Sequence, residues 1–355
     1  MRKTMNHWYQ YTGVMHIHTT ASDGTKPLDE VIAIGREVGL DFMMFTDHMT
    51  LKHREEGREG FYGKTLVTIG YEQNDADDRN HYLLFDSPRV YASSTNAADY
   101  VAAGIADGAL GIIAHPDEIR SRLADYPPYP WTDWTVEGFT GIEVWNQMSE
   151  WMERLTRINK LIMAFSPRKS MLAPSARTLK RWDEINLRHP CVGVAGVDAH
   201  AFRIKVWPMT VEVFPYKVHF RSLRCYILLP QAMSENDVTA GNQLHQAIRE
   251  CRLFFANVRW GDAEDFEFWA ESDGVRAICG QWLPLKGRAD LHARLPHSAE
   301  IRVIRNGEEV HSVRADSMVF RVTTPGVYRL ESRRFGRGWI FTNHIRIGTE
   351  DTHRD

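Results

Sequence analysis

Cysteine is scarce in this chain of 355 residues. The four cysteines, Cys191, Cys225, Cys251 and Cys279, lie far apart and form no CxxC pair. This spacing excludes a cysteine-ligated zinc module and argues against a disulfide framework. We therefore expect unpaired, mostly buried thiols and a reducing compartment.

Long apolar runs and a strong excess of one charge are also absent. No stretch approaches the roughly 18 consecutive apolar residues that span a bilayer, and the amino terminus lacks the apolar segment of a signal peptide. These features predict a cytoplasmic protein without membrane contact. The formal net charge of -3 argues against a nucleic-acid partner, because binding phosphates usually requires a basic face.

Histidine, in contrast, occurs 16 times. It carries protons near pH 7 and is the commonest metal ligand in proteins. The remaining composition, 43% hydrophobic and 25% charged, is that of an ordinary globular protein. The length fits either one large barrel or two units.

Between residues 13 and 200, short apolar runs alternate with helical patterns. The runs cover 13–18, 41–48, 66–72, 81–85, 110–116, 141–146 and 191–200. Helical patterns over 28–39, 97–108, 150–162 and 175–185 lie between several of them. This alternation predicts βαβ units, a largely parallel sheet and an α/β fold.

Polar residues at the ends of these runs form one candidate site. In a parallel barrel the active site is built at the C-terminal strand ends, so we expect one mouth to collect His16, His18, His48, Glu72, His115, Asp198 and His200. Side chains two residues apart in a strand point the same way. Asp23, in the turn after the first strand, could reach the same mouth. His81 opens its run, so it joins only if the segment from Glu72 to His81 folds back.

These residue types predict a metal centre. Imidazole and carboxylate ligands suit zinc, manganese and iron. Six histidines and three carboxylates are too many for one ion with an open position, which favours two or three divalent ions with a carboxylate such as Glu72 as a bridge. A lone histidine at a strand end is more often structural, so this interpretation depends on all nine residues together. Paired ions activate water and clamp the reacting oxygens, which makes hydrolysis the expected chemistry.

Five segments together resemble the PHP family, the polymerase and histidinol phosphatase domain. They are HIHTTASDG (16–24), TDH (46–48), the glutamate of GYE (70–72), IAHP (113–116) and GVDAH (196–200). The resemblance covers about residues 13–200 and implies a distorted (β/α)7 barrel that usually hydrolyses phosphoesters. It also implies three ion sites: His16, His18, Glu72 and Asp198; Glu72, His81 and His115; and Asp23, His48 and His200.

Two features qualify the resemblance. Position 23 is aspartate where some members of the family have histidine. Residues 201–229 and 254–260 resemble a bacterial branch that includes carbamate-hydrolysing enzymes, in which the substrate need not be a phosphoester.

From about residue 263 the pattern changes, which predicts a division into 1–262 and 263–355. Six short, often alternating runs without a helix predict a small antiparallel, Ig-like β-sandwich. Asn306-Gly307 is typical of a type I′ hairpin. The expected core contains Trp269, Trp282, Phe320, Tyr328 and Trp339. This unit could cover the barrel, contact a second subunit of a homo-oligomer or bind a ligand.

A phosphorylated substrate would require a cation near the metals. The candidates that follow strand ends are Lys52, Arg54, Arg58, Arg120, Arg203 and Lys205, with Arg203 the first choice. Asp47 and Asp117 are expected to orient imidazoles, and Glu143 and Asn146 to line the mouth. Trp145 and Trp151 could wall the pocket or pack in the core.

The resulting hypothesis is a metal-dependent hydrolase of a small phosphorylated metabolite. A hydroxide bridging two metals would attack phosphorus, with Glu72, Asp198 and Arg203 as the catalytic residues. A carbamate, amide or carboxyl-ester hydrolase with the same metal centre is the alternative. A nuclease and a non-catalytic, metal-stabilised scaffold that presents the C-terminal unit to a partner are lesser alternatives.

Overall fold

The computed structural model describes residues 2–3, 7–93, 96–120, 127–156, 158–206 and 209–349. They form a mixed α/β fold with two large sheets and one two-stranded sheet. The helices are α1 Leu28–Glu37, α2 Lys52–Glu55, α3 Ala97–Ala106, α4 Gln147–Arg154, α5 Lys160–Phe165, α6 Ala176–Arg188, α7 Tyr216–Phe220 and α8 Asp237–Arg249, with 3-10 helices at Pro167–Lys169 and Val258–Trp260.

The strands before the 3-10 helix at Val258 are β1 Arg2–Lys3, β2 Tyr9–Ile17, β3 Phe42–Phe45, β4 Gly60–Tyr62, β5 Thr65–Ile69, β6 Tyr71–Gln73, β7 Tyr82–Phe85, β8 Leu110–Ile113, β9 Gly141–Asn146, β10 Val192–Gly196, β11 Arg203–Val206, β12 Met209–Glu212, β13 Leu223–Leu229 and β14 Leu253–Asn257. The later strands are β15 Glu267–Ser272, β16 Val275–Ala277, β17 Trp282–Pro284, β18 Ala289–Arg305, β19 Glu308–Val322, β20 Gly326–Arg334, β21 Arg337–Thr342 and β22 Ile345–Gly348.

The predicted strands between residues 13 and 200 are present, but their pairing in the described residues does not form a closed barrel. Strands β2, β3 and β5 are parallel within a 15-stranded sheet. Strands β8, β9 and β10 are parallel within a separate five-stranded sheet. The two sheets are linked by isolated parallel bridges at Ile17–Ala199 and His48–Glu72. Further backbone bonds include Val197 N–H to the Met15 carbonyl at 3.0 Å and Gly70 N–H to the Phe45 carbonyl at 2.9 Å.

The second sheet is mixed because β6 and β7 form an antiparallel hairpin. Glu72 pairs with Leu83 and Gln73 with Tyr82. Within the connecting loop the Asp75 carboxylate accepts the backbone N–H of Arg79 at 2.8 Å, and Asn80 has a positive φ of 52°. This tight return is why the expectation of a largely parallel sheet was too simple.

Three helices, α1, α3 and α6, match the predicted patterns in place, but the pattern over 150–162 is wrong. The chain forms α4 and α5 there instead of one helix, with Leu155 extended at ψ 133°. The Asn159 side chain accepts the Thr156 N–H at 2.7 Å and donates to the Arg154 carbonyl at 2.9 Å. Such local side-chain bonds compete with the helical backbone.

The C-terminal strands are antiparallel but hydrogen-bonded to the preceding sheet. Strand β21 pairs with β14 through Phe341 and Phe255, so these strands extend the 15-stranded sheet. The separate sandwich is therefore not reproduced, and the division at residue 262 stays a prediction. The hairpin prediction is confirmed: Asn306 and Gly307 have φ of 52° and 85° and connect β18 to β19, as a type I′ turn requires.

Two hydrophobic clusters form the core. The first contains residues of β2, β3, β7 and β8, and also Phe341. The second joins the C-terminal strands to Tyr226 and Phe254 of the preceding part. Tyr328 and Trp339 lie in this second cluster as predicted, whereas Trp269 and Phe320 are only partly buried against it and Trp282 is half-buried.

All four cysteines are free and buried, as the sequence predicted. Among the described residues, no helix combines the length and the apolar character needed to cross a membrane.

Candidate metal centre

The structure brings all nine predicted ligands together where the strands of both sheets end. Three of them, His16, His115 and Asp198, have positive φ angles of 65°, 27° and 50°. For a residue other than glycine this conformation costs about 1–3 kcal/mol and concentrates at functional sites. The strained backbone therefore indicates that the surrounding structure, and not local conformational preference alone, sets the direction of these side chains.

Glu72 occupies the centre of the cluster and is only 1% exposed. One carboxylate oxygen, Oε2, lies 3.0 Å from His16 Nε2, 3.2 Å from His18 Nε2 and 3.5 Å from His48 Nδ1. The other, Oε1, faces the remaining side with two further imidazoles. Glu72 is thus placed between two groups of histidines, as a bridging carboxylate would be.

His81 reaches Glu72 because β6 and β7 form a hairpin. Its Nδ1 lies 2.7 Å from Glu72 Oε1, and His115 Nε2 lies 3.3 Å from the same oxygen. The segment from Glu72 to His81 therefore folds back, which is the condition that the sequence set for His81 to join the cluster.

A second concentration of ligands lies on the other side of Glu72. The Asp198 Oδ1 atom is 3.5 Å from His16 Nε2 and 3.6 Å from His18 Nε2. Asp23 Oδ1 is 3.1 Å from His200 Nε2, and its other oxygen is 3.8 Å from His48 Nε2. Asp23 is also the most exposed member, with 49% of its side chain accessible.

Four overlapping groups in the described residues could each hold a metal ion, with ligand atoms within 4.8 Å of one another. They are His18, Asp23, His48 and His200; His16, His18 and Glu72; His16, His115 and Asp198; and His48, Glu72 and His81. The grouping differs in detail from that implied by the resemblance, because His18 also belongs with Asp23, and His115 is grouped with Asp198.

The site stabilises its carboxylates as anions. Burial alone would raise the pKa of Glu72, but His16, His48 and His81 outweigh it and hold the pKa well below its usual range. Burial would likewise lower the pKa of His81, yet the Glu72 carboxylate raises that pKa to about 10. Glu72 is therefore ionised, which is the form in which a carboxylate binds a metal ion.

The remaining carboxylates follow the same pattern. Burial opposes ionisation of Asp198, but His16 and His200 hold its pKa far below the usual range. The pKa of Asp23 is also lowered, because its hydrogen bond to His200 outweighs burial.

His18 fits a metal more directly. It is fully buried, and neither ring nitrogen makes a hydrogen bond of good geometry to a described residue, although Nε2 lies 3.2 Å from Glu72 Oε2. Burial first and then the charge of His200 lower the pKa of His18 to about 4, so the ring is neutral at pH 7. A buried, neutral imidazole with a free nitrogen among carboxylates is the form in which histidine binds metals.

Glu143 orients two of these ligands. Its Oε1 accepts from His16 Nδ1 at 2.7 Å, and its Oε2 accepts the backbone N–H of His115 at 2.8 Å. With Nδ1 carrying the proton, His16 turns Nε2 towards Glu72 and Asp198. Its position at the end of a strand predicted that Glu143 lines the mouth of the site. The sequence did not indicate which histidine Glu143 would contact.

The roles predicted for Asp47 and Asp117 are wrong. Asp47 accepts hydrogen bonds from the hydroxyls of Thr19 and Ser22 at 2.8 and 2.7 Å, so it holds the turn before Asp23. The imidazole beside it, at 3.9 Å, belongs to His53 and not to a predicted ligand. Asp117 lies 3.7 Å from Arg177 and 3.8 Å from Arg181. Sequence adjacency to a ligand did not predict contact because each side chain points to a neighbouring loop or helix.

The predicted cations do not share one location. Arg54 and Arg58 are held by Glu59 and Asp29, and Arg120 by Glu118; Lys52 is exposed. Arg203 is exposed at the start of β11, next to Phe202, whose ring stacks on His200 at 5.0 Å. The side chain of Lys205 lies outside the described residues.

A pocket of about 370 Å³ adjoins the cluster. His115, Glu143 and Asn146 line it, together with residues of α4, the loop 172–176 and Arg333. Trp145 also lines the pocket, but it is only 1% exposed and donates to Glu150 at 2.7 Å. Trp151 is buried and donates to the Met163 carbonyl, so core packing is its role.

No family model matches the chain, and no curated protein does. Among solved structures, a two-domain protein from Bacteroides vulgatus containing a predicted PHP-like metal-dependent phosphoesterase is 12% identical, with 95% of each chain covered and a TM-score of 0.46. PsfC from Pseudomonas syringae is 15% identical, covering 66% of this chain and 88% of its own, with a TM-score of 0.37.

A third structure, a presumed metal-dependent phosphoesterase from Bifidobacterium adolescentis, is 15% identical over 53% of this chain and 87% of its own, with a TM-score of 0.35. At such low identities and TM-scores, these likenesses establish neither a shared family nor a shared activity.

Proposed function

We propose that this protein is a metal-dependent hydrolase of the PHP type that cleaves a small phosphoester. The observation that carries the proposal is the convergence of six histidines and three carboxylates in four overlapping ligand groups, with His18 buried and without a hydrogen bond of good geometry at either nitrogen. The five motifs that resemble the PHP family support it, and they also support a distorted barrel around the site.

Two or three ions of zinc, manganese or iron would be held by the nine residues. His16, His18, Glu72 and Asp198 would form one set; Glu72, His81 and His115 a second; and Asp23, His48 and His200 a third. Bound divalent ions lower the pKa of water and neutralise charge on the reacting oxygens.

The chain's own groups set the geometry for this chemistry. Glu143 fixes the tautomer and direction of His16, and the Glu72 carboxylate lies between the two histidine groups. The adjoining pocket, which shares His115 and Glu143 with the cluster, is the place for the alcohol part of the substrate. Arg203, exposed beyond His200, is proposed to meet phosphoryl oxygens.

The test combines metal analysis with a substrate panel. Purified protein is measured for bound metal by elemental analysis and assayed with phosphomonoesters and phosphodiesters in the presence of manganese, iron or zinc. Aryl carbamates and carboxyl esters run in parallel test the alternative of attack at carbon. We expect wild type to hydrolyse phosphoesters, Glu72→Gln to lose this activity and the exposed control Glu30→Gln to retain it. Hydrolysis of carbamates alone would show that the enzyme attacks carbon and not phosphorus.

A further inference from the structure

The pocket beside the metal cluster is completed by a residue from the C-terminal strands. Its lining includes His115 and Glu143 from the cluster and, from β20, Arg333. The β20–β21 hairpin is tied to the pocket wall, because the Gly338 N–H donates to the Leu172 carbonyl at 2.6 Å. Arg333 is thus held at the pocket by a neighbouring backbone contact.

Most carboxylates of the lining are already engaged by neighbouring groups. Glu118 accepts from Ser149, Glu143 from Asn146 and Glu150 from Trp145, at 2.8, 2.9 and 2.7 Å. These carboxylates are therefore held by the protein itself. Arg154, the other arginine of the lining, lies 3.4 Å from Glu150.

Arg333 is less completely engaged. Its nearest carboxylate oxygen in the described part of the chain, on Glu331, is 3.9 Å away, and the other oxygen of Glu331 accepts from Arg329 at 2.7 Å. The Nε atom of Arg333 is buried without a hydrogen bond to any described residue. A buried N–H donor of a charged group without an acceptor is costly, and a ligand oxyanion would satisfy it.

We propose that Arg333 binds an anionic group on the alcohol part of the substrate, so that the C-terminal strands determine specificity. This inference rests on the proposed phosphoesterase function. The planar guanidinium can form paired hydrogen bonds with either a carboxylate or a second phosphate. The substrate class is accordingly a small phosphoester that carries a second negative group distant from the ester that is cleaved.

Three phosphoesters distinguish the sources of that anion: glycerol 3-phosphate is neutral beyond the ester, 3-phosphoglycerate adds a carboxylate, and propane-1,3-diol bisphosphate adds a phosphate. Each is used as a substrate for the metal-loaded full-length protein and as a ligand in thermal unfolding. In wild type we expect higher kcat/KM and a larger rise in Tm for at least one of the two compounds with a second anionic group than for glycerol 3-phosphate.

Arg333→Met should lower kcat/KM for that compound by about tenfold or more and abolish its extra rise in Tm. Turnover of glycerol 3-phosphate should change less than twofold. Arg333→Lys should give an intermediate loss, and it serves as the second variant if Arg333→Met fails to fold. Arg321→Met, which removes an exposed arginine of β19, should match wild type throughout.

Equal loss for all three compounds, or no loss for any of them, would overturn the role of Arg333 while leaving hydrolysis intact. Wild-type protein that hydrolyses none of the compounds would count against the proposed function. The thermal shifts then decide separately: an anion-dependent rise in Tm that Arg333→Met loses supports the site, and equal shifts in both proteins overturn it.

Discussion

The Glu143 side chain contacts several residues in and around the metal cluster. It is 1% exposed and receives three hydrogen bonds, from the His16 ring, the His115 backbone and the Asn146 amide. Partners of this kind fix the tautomer and ring orientation of a metal-binding histidine and raise its basicity. Glu143 is therefore a positioning residue for the ligands around it.

We expect Glu143→Gln to weaken metal binding by about 10–100-fold, the usual range for such partners. The amide keeps the size of the side chain but loses the charge that holds the His16 Nδ1 proton. Titration of metal-free protein with zinc measures the effect, with Glu30→Gln as the exposed control. An unchanged dissociation constant would show that His16 is oriented without Glu143.

At this scale the sequence predicted the nine clustered residues, because eight of them close or open a short apolar run whose direction the strand fixes and Asp23 lies in the turn after the first run. It did not predict Arg333, since the approach of β20 to His115 depends on pairing between distant strands. It misassigned Asp47 and Asp117 for a related reason: a neighbour in sequence can point to a different partner in space.

Helix α6 is fastened to the C-terminal strands by one buried carboxylate. The two oxygens of Asp183 accept from Arg329 Nε and Nη2, both at 2.7 Å, and Oδ1 also accepts from His344 Nε2 at 2.8 Å. Arg329 and Asp183 are almost fully buried. The contact therefore couples an element from the first part of the chain to β20 and to the loop before β22.

Arg329→Met should destabilise the protein by about 3–5 kcal/mol, because removing one partner leaves a buried charge uncompensated. The matched change Arg321→Met, at a side chain 66% exposed and 3.8 Å from Asp290, should cost about 0.5 kcal/mol or less. Urea unfolding measures both. Equal losses would mean that the α6 contact contributes little to the free energy of unfolding.

The same contact predicts a pH dependence of stability. Burial lowers the pKa of His344 to about 4 although Asp183 opposes it, whereas the unfolded side chain titrates near 6.5. Because the unfolded state binds the proton first, stability is fully present above about pH 6.5 and falls as the pH decreases towards 4, by about 3 kcal/mol from this group. Asp183, with its pKa lowered to about 2, adds a loss only below about pH 4.

Urea unfolding of wild type and His344→Gln between pH 7 and 4 tests this assignment. The variant should lose the part of the pH dependence that His344 causes, so its free energy of unfolding should fall less steeply over the same interval. Parallel curves for the two proteins would assign the acid sensitivity to other groups.

Elements were predicted unevenly. The hairpin at Asn306-Gly307 follows from local turn chemistry and is present, whereas the helix over 150–162 is broken by bonds of Asn159 that a periodic pattern does not reveal. The sequence did not predict that β7 runs antiparallel to β6. It indicated only that His81 could reach the site if the chain folded back there.

The whole molecule is held together by shared strands as well as by a shared core. Strand β14 pairs with β13 on one side and with β21 on the other, and Phe341 packs in the first hydrophobic cluster. Sequence periodicity could indicate where the C-terminal strands begin, but it could not show that their edge continues the earlier sheet.

A fragment ending at residue 262 should therefore fold poorly, because β14 would become an open edge and the partners of Tyr226 and Phe254 in the second cluster would be lost. Circular dichroism and thermal unfolding of fragment 1–262 beside the full chain measure this dependence. A fragment with cooperative unfolding and the Tm of the full chain would establish an independent first unit.

The central claim is that the nine residues bind divalent metals that support hydrolysis. Its most direct test is the metal content of full-length protein after removal and restoration of zinc, manganese or iron, compared between wild type and Glu72→Gln. We predict about two or three equivalents in wild type, a loss of at least one in the variant, and phosphoester hydrolysis that follows the bound metal. Wild type that retains no metal and is indistinguishable from Glu72→Gln would contradict the account.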